Sequence, residues 1–296
     1  MRWPGKILYF GEHTVLRGSK AVAGPLNRFG GQWKMEGTRS QQQRLHEWLG
    51  WLRVQQMAAA LSVTYRLDDF STDLARGLYF AADIPTGYGA GSSGALCAAF
   101  YHRYAHSPQP ARSPGQLAHL KTVFAELESF FHGASSGTDP LICYAQSGLL
   151  IQPGGHIERT DLPTLPKPQA FFLIDTGLTR STGPLVEAFL VRCEEEGFRQ
   201  NALRQLITVS DVTVDTWLNG YFHDLFDAFH SLSALQRQHL DFLIPQQFYA
   251  LWDDLLDTSH TCLKLCGAGG GGFILGYTKD STRLPAVLPQ HTVLLV

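Results

Sequence analysis

The run Pro85-Thr86-Gly87-Tyr88-Gly89-Ala90-Gly91-Ser92-Ser93-Gly94-Ala95 constrains this chain more than any other stretch. Three glycines at alternate positions cannot hold a stable strand or helix, because each costs backbone entropy and packs no side chain. They suit a loop whose bare N–H groups approach an anion closely. Ser92 and Ser93 follow, and the apolar run from Ala95 to Tyr104 reads as a buried helix. A glycine-rich loop feeding a helix N-terminus gathers free N–H groups and the positive end of the helix dipole at one point, which makes a phosphate site. The expected ligand is a nucleotide; the bland alternative is a glycine-rich turn that holds nothing.

The loop alone does not say which nucleotide. No Gly-x-x-x-x-Gly-Lys-[Ser/Thr] occurs, which excludes the usual P-loop. Gly89-x-Gly91-x-x-Gly94 formally matches the dinucleotide fingerprint, with Gly77 to Ile84 as a preceding strand. That fingerprint calls for an acidic residue about 20 residues on, and the window from Ala105 to Gly115 is rich in His, Pro and Ser instead.

At 296 residues the chain can build one large domain or two ordinary ones. Hydrophobic content of 44% and charge of 17% describe a globular chain, neither disordered nor membrane-embedded. A net charge of −2 with no basic cluster offers nucleic acid nothing. No run approaches a membrane span, and the first residues carry no apolar signal segment. The five cysteines (97, 143, 193, 262, 266) lack zinc-type spacing and read as reduced thiols of a cytoplasmic protein.

Along the chain, Lys6 to Phe10 and Ala21 to Leu26 read as strands. Residues 30–60 read as a polar loop leading into an amphipathic helix, which either covers a pocket or packs as an irregular edge. A surface loop at 106–115 precedes a helix from about Leu117 to Phe131, and Gly148 to Gln152 reads as a strand. Pro163 to Pro168 is the linker candidate, dividing the chain into 1–167 and 168–296. Beyond it come a strand at Ala170 to Asp175, helices around 183–218, 220–240 and 246–263, and a final strand at Thr292 to Val296.

Two further segments carry chemistry. Leu265-Cys266-Gly267-Ala268-Gly269-Gly270-Gly271-Gly272-Phe273 is a second glycine loop running straight into an apolar strand. Four consecutive glycines suit backbone that passes close to something large, and the strand that follows at once argues against a mere linker. Glu128-x-x-x-His132-Gly133-Ala134-Ser135-Ser136-Gly137-Thr138-Asp139 ends a helix and presents small residues with one acid. Phosphoryl transfer uses one acid to hold magnesium and often another to orient or deprotonate the attacking hydroxyl. Glu128 and Asp139 fit those roles, with Ser93 as a hydroxyl ligand. Read singly, Asp139 is a cap or turn acid and His132 a hydrogen-bonded structural histidine.

Taken together, Gly11-Glu12-His13-x-Val15, the 85–93 loop, His132-Gly-x-x-Ser136-Gly-x-Asp139 and Lys264-Leu-x-Gly-Ala-Gly-Gly-Gly-Gly272 occur in the order found in GHMP kinases. The resemblance spans residues 4 to 273, and it makes the dinucleotide match a by-product of the loop. Within that superfamily the chain resembles mevalonate kinases: Pro4-Gly5-Lys6 precedes Gly11-Glu12-His13 by the same interval, and Glu128-x-x-x-His132-Gly keeps their spacing. Asp175-Thr176-x-x-x-Arg180-Ser181-Thr182 resembles the segment opening their C-terminal domain. The chain departs from the pattern at Gly94, Ser135, Cys266 and Gly183, where the family carries Ala, Pro, Thr and a Lys or Arg.

The resemblance implies a two-domain α+β fold. An N-terminal ATP-binding domain would carry an antiparallel or mixed sheet, a C-terminal domain would be ferredoxin-like, and the active site would lie in the cleft between them. It implies transfer of the ATP γ-phosphoryl group to a small alcohol, mevalonate first among the candidates, with Mg2+. Gly87, Gly89, Gly91, Ser92, Ser93 and Gly94 would cradle the triphosphate, and Ser93 with Glu128 would hold magnesium. Asp139 would take the acceptor proton with Lys6 beside it, and Glu12, His13 and Thr182 would bind the acceptor. Lys6, Arg180 and Arg17 are candidate cations for the acceptor carboxylate. A sugar or sugar-phosphate acceptor, or a non-catalytic ligand sensor of the same fold, are the alternatives, and a homodimer is left open.

Overall fold

Alternation along the second strand explains how the molecule is layered. Side chains on a strand point to opposite faces in turn. In β2 (Ala21–Lys34), Ala21 and Ala23 face one apolar cluster while Val22 faces another. The first strand, β1 (Trp3–Phe10), does the same, with Ile7 and Tyr9 on one side and Leu8 on the other. A sheet apolar on both faces must be covered on both, and it is.

The computed structural model describes residues 1–296. One face of the first sheet is covered by helices α1 (Arg39–Met57), α2 (Leu67–Ala75), α3 (Ser92–Tyr104), α4 (Pro114–His132) and α5 (Thr138–Ala145), with Trp48, Phe70, Phe100 and Phe124 at the centre of that cluster. The sheet runs β1–β2–β4–β5, with β4 at Gly148–Ile151 and β5 at Ile157–Thr160, and β3 (Tyr79–Ala82) pairs the far end of β2. Every pairing in it is antiparallel.

The second sheet runs β7–β8–β6–β9, antiparallel throughout, from β6 (Ala170–Asp175), β7 (Thr261–Leu265), β8 (Phe273–Thr278) and β9 (Val293–Leu295). Helices α6 (Thr182–Arg192), α7 (Leu203–Leu218), α8 (Leu225–His239) and α9 (Tyr249–Leu256) lie between β6 and β7, and the short α10 (Leu284–Val287) lies between β8 and β9. The other face of the first sheet joins this half in one apolar cluster, in which Tyr9 and Phe10 pack on Phe171 and Trp217.

Local chemistry sets the helix starts. Thr38 with Gln41 and Ser113 with Gln116 form reciprocal capping boxes ahead of α1 and α4, and Pro114 occupies the first turn of α4. Several sequence expectations are corrected. Residues 30–34 continue β2, because their backbone pairs with β3, and α1 then packs Leu45, Trp48 and Leu49 into the core as a regular helix. The helix expected over 246–263 stops at Leu256; Thr261–Leu265 is a fully buried strand, and a buried segment this short is not separated from a helix end by periodicity. The helix expected over 183–218 is interrupted between Arg192 and Leu203 by a bend and a π-turn at Phe198–Ala202. All five cysteines are free, and only Cys266 is partly exposed. No helix is long and apolar enough to cross a membrane.

The glycines of the second loop are demanded by other backbone rather than by a large ligand alone. A Cβ on Gly272 would stand 2.5 Å from the Tyr88 carbonyl, so this loop passes directly against the 85–91 loop. Gly137, just ahead of α5, has φ +70, and a Cβ there would overlap the Lys121 carbonyl of α4. Gly137→Ala should therefore cost at least about 2 kcal/mol, from the left-handed backbone and the clash together. Urea denaturation checks this, and a loss below about 0.5 kcal/mol would contradict the close approach.

Candidate active site

The first half brings two helix N-termini side by side. Gly91, left-handed at φ 85, caps α3, and Gly137 caps α5. A Cβ on Gly94 would lie 3.0 Å from Pro140 N, so the first turns of the two helices touch. Amides in a first helical turn have no intrahelical acceptor; Ser92, Ser93 and Gly94 supply such amides on α3, and Thr138 and Asp139 supply them on α5. Two helix N-termini, both positive dipole ends, thus lie in contact.

Lys6 reaches that spot from β1. Its backbone N–H donates to Ala90 O at 2.9 Å, and its side chain, nearly buried, forms an ion pair with Asp139 at 2.9 Å. The strand register shifts between Pro4 and Gly5, just before Lys6; such irregularities re-aim a side chain. Asp139 makes no cap with its carboxylate and points to Lys6, which removes the cap reading. Its side chain is 41% exposed, so the carboxylate stays accessible beside a buried cation.

Glu128, on the penultimate turn of α4, is 5% exposed. Ser93 donates to its Oε1 at 2.7 Å and Ser135 to its Oε2 at 2.5 Å. Burial, and then the charge of Asp139, raise the Glu128 pKa against those two hydroxyls and His132. His132 Nε2 stands 3.0 Å from Ser93 Oγ, so the histidine read as structural lies on this cluster.

The second half contributes Arg180. Its backbone N–H donates to Gly87 O at 3.0 Å, and its guanidinium fills the space where Gly89 and Gly267 lack a side chain. It has no acidic partner; Thr182 Oγ1 lies 3.4 Å from Nη1, and Nε is buried without an acceptor. Burial lowers its pKa, and the Asp139 charge acts the other way. Tyr88 donates to Asp175 Oδ1 at 2.9 Å, fastening the glycine loop to the end of β6.

Glu12 and His13 sit deeper. His13 has φ 61 and ψ −49, and Thr14 N donates across it to Glu12 O at 2.7 Å, a γ-turn of the strained hand. Such a backbone costs about 1–3 kcal/mol and persists only where its surroundings over-determine it. Here they do. Glu12 pairs with the fully buried Lys264 at 2.7 Å and accepts from Gln236, while His13 Nε2 lies 3.0 Å from Ala268 O. A carbonyl only accepts, so His13 carries its proton on Nε2, and Nδ1 is a buried lone pair with no donor. Burial pulls the His13 pKa down to about 4, with the Arg180 charge adding to it. Glu12 Oε2 is likewise buried without a donor.

Lys6, Asp139, Ser93 and Glu128 are thus brought together at the ends of α3 and α5, with Gly87 to Gly94 beside them. Thr182 is exposed and joins only through Arg180. Glu12 presents no free carboxylate to solvent, being 2% exposed and paired. Sequence reasoning missed the roles of His132, Ser135, Lys264 and Gln236. Lys264 had a signal, as a lone cation inside Cys262-Leu263-Lys264-Leu265. Gln236 had a fainter one, falling on the helical stripe of Phe229, Leu232 and Ser233.

No family model and no curated protein matches the sequence. Solved structures do. Mevalonate kinase of L. major in complex with R-mevalonate is 14% identical, with 97% of this chain and 89% of that one covered at a TM-score of 0.65. Phosphomevalonate kinase of Streptococcus pneumoniae with phosphomevalonate and AMPPNP is 13% identical, with 100% and 98% covered at 0.63. Galactokinase of Lactococcus lactis with galactose is 12% identical, with 99% and 92% covered at 0.66. The chain has the fold of the GHMP kinases. A further mevalonate kinase structure is 15% identical, with 100% and 97% covered at 0.66, the TM-score that the galactokinase also reaches.

The burial of His13 sets a pH dependence. A histidine whose folded pKa is depressed contributes stability that is full above its unfolded value of 6.5 and is lost as pH falls toward about 4. By pH 4 the loss should approach about 3 kcal/mol. Urea titrations at several pH values should show His13→Gln losing less stability than wild type over this range; parallel losses would contradict the assignment.

Proposed function

We propose that this chain transfers the γ-phosphoryl group of ATP to a small alcohol that carries an anionic group, with mevalonate as the acceptor. The observation that carries the reading is the Lys6–Asp139 ion pair set beside the Ser93–Glu128 pair at two adjacent helix N-termini. In this reading the chain divides at 167/168 into two domains with the site in the cleft between them. Two separate sheets support the division, and the strand order β7–β8–β6–β9 supports a ferredoxin-like second domain.

The backbone of Gly87 to Gly94 would bind the triphosphate by its N–H groups. A buried Glu128 whose burial and Asp139 neighbour oppose ionisation fits a site completed by a cation, and hard oxygen donors with few protein ligands suit Mg2+. Ser93 and Glu128 would hold that ion, which when bound would offset phosphate charge. Asp139 would take the acceptor hydroxyl proton as that oxygen bonds to the γ-phosphorus and the bond to ADP breaks. Lys6 would stabilise charge on the transferring group, so that catalysis rests on positioning and electrostatics.

Three cations competed for the acceptor carboxylate. Arg17 is tied to Glu194 at 3.1 Å and Lys6 to Asp139, whereas Arg180 is held beside the glycine loops with no acidic partner. Arg180 is the cation this reading assigns, and the His13 Nδ1 lone pair would accept from an acceptor hydroxyl.

Asp139→Asn should lower turnover by at least about 10²-fold, the scale of a lost general base. Steady-state ADP release with ATP, magnesium and mevalonate measures this. A folded Asp139→Asn protein with near-normal turnover would remove Asp139 from the base role.

A further inference from the structure

Ser93, Glu128, His132 and Ser135 form one hydrogen-bonded chain whose polarity can be worked out. A hydroxyl has one proton, and Ser93 spends its proton on Glu128 Oε1. The Ser93 oxygen can then only accept from His132, so the imidazole carries its proton on Nε2. Ser135 gives its proton to Glu128 Oε2 and accepts the Gly137 N–H at 3.0 Å. Each carboxylate oxygen of Glu128 is thereby fixed by one donor, and one lone pair of Ser93 is fixed by His132 while the other remains.

We infer that His132 and Ser135 are positioning residues of the cation site, holding the Ser93 oxygen and the Glu128 carboxylate in place for the ion. The inference rests on the proposed function above and names two residues that reading does not use. His132 acts on Ser93, and Ser135 acts on Glu128. Ser135 ties the 133–137 loop to Glu128 by a side-chain hydrogen bond. Glu128 needs such restraint, because it is buried close to a second acid. Groups that orient ligands in this way are worth about 10- to 100-fold in metal affinity. The competing explanation for His132 is a structural one, an imidazole at the last turn of α4, where helix carbonyls favour it.

The test is Mn2+ binding in the presence of AMPPNP, followed by electron paramagnetic resonance, which needs no turnover. His132→Ala and Ser135→Ala should each weaken Mn2+ binding by about 10-fold or more. His132→Gln, whose amide replaces the Nε2–H donor, should stay within about 3-fold of wild type, as should Ser135→Thr. Thermal midpoints without cation should be nearly unchanged for the exposed His132 variants. Alanine variants that bind Mn2+ like wild type, or conservative variants no better than alanine, would overturn the inference alone. Wild-type protein that takes up no Mn2+ with AMPPNP would overturn the proposed function and this inference with it.

Discussion

A fully buried ion pair ties the two halves of the molecule together where the site forms. Lys264 Nζ stands 2.7 Å from Glu12, with both side chains at or below 1% exposure. Taking two such charges out of water costs several kcal/mol each, and their attraction offsets this only with good geometry and further hydrogen bonds. Those bonds are present: Gln236 donates to Glu12 and accepts from Leu265 N at 2.8 Å, and Lys264 donates to Leu265 O at 2.6 Å. Glu12 follows β1, Lys264 lies on β7 and Gln236 on α8, so one polar cluster fixes two strands and a helix. Removing Glu12 or Lys264 alone would leave a buried charge unpaired, at about 3–5 kcal/mol.

From that cluster the rest of the site follows. It locks the strained turn at His13, and the His13 bond to Ala268 fixes the second glycine loop. That loop in turn lies against Tyr88 of the first, and Arg180 fills the gap between the two. Around this frame charges alternate: Asp139 lies between Lys6 and the influence of Arg180, while Glu128 repels Asp139 and is restrained by hydroxyls. Desolvation raises the thiol pKa of Cys266, while the charges of Lys264, Lys6 and Arg180 around it pull it down. An anionic ligand suits those surroundings.

Much of this was legible in the sequence. The glycine loop, the 128–139 segment and the four-glycine loop announced their positions, because glycine spacing and acid–hydroxyl clusters reflect local backbone demands. Strand β7 was not legible, since five buried residues are too few for periodicity to separate a strand from a helix end. The reach of β2 through Lys34 was hidden by polar residues on a strand whose partner, β3, lies more than forty positions on. Glu12 read as a ligand because its partner is 252 positions away, and no local pattern pairs them. His132 read as structural because nothing in sequence brings it to Ser93. Long-range pairing, rather than propensity, is what the sequence withheld.

The most direct measurement is magnesium-dependent conversion of ATP to ADP, followed by phosphorus NMR, with mevalonate, phosphomevalonate, homoserine, galactose and heptose phosphate as separate acceptors. The account predicts saturable transfer to mevalonate, with a new phosphate-ester signal appearing as ADP forms. Transfer to a sugar alone would keep the phosphotransferase and discard the acceptor. Bound AMPPNP with no transfer to any of these alcohols would contradict the reading of Asp139 and Lys6 as catalytic groups.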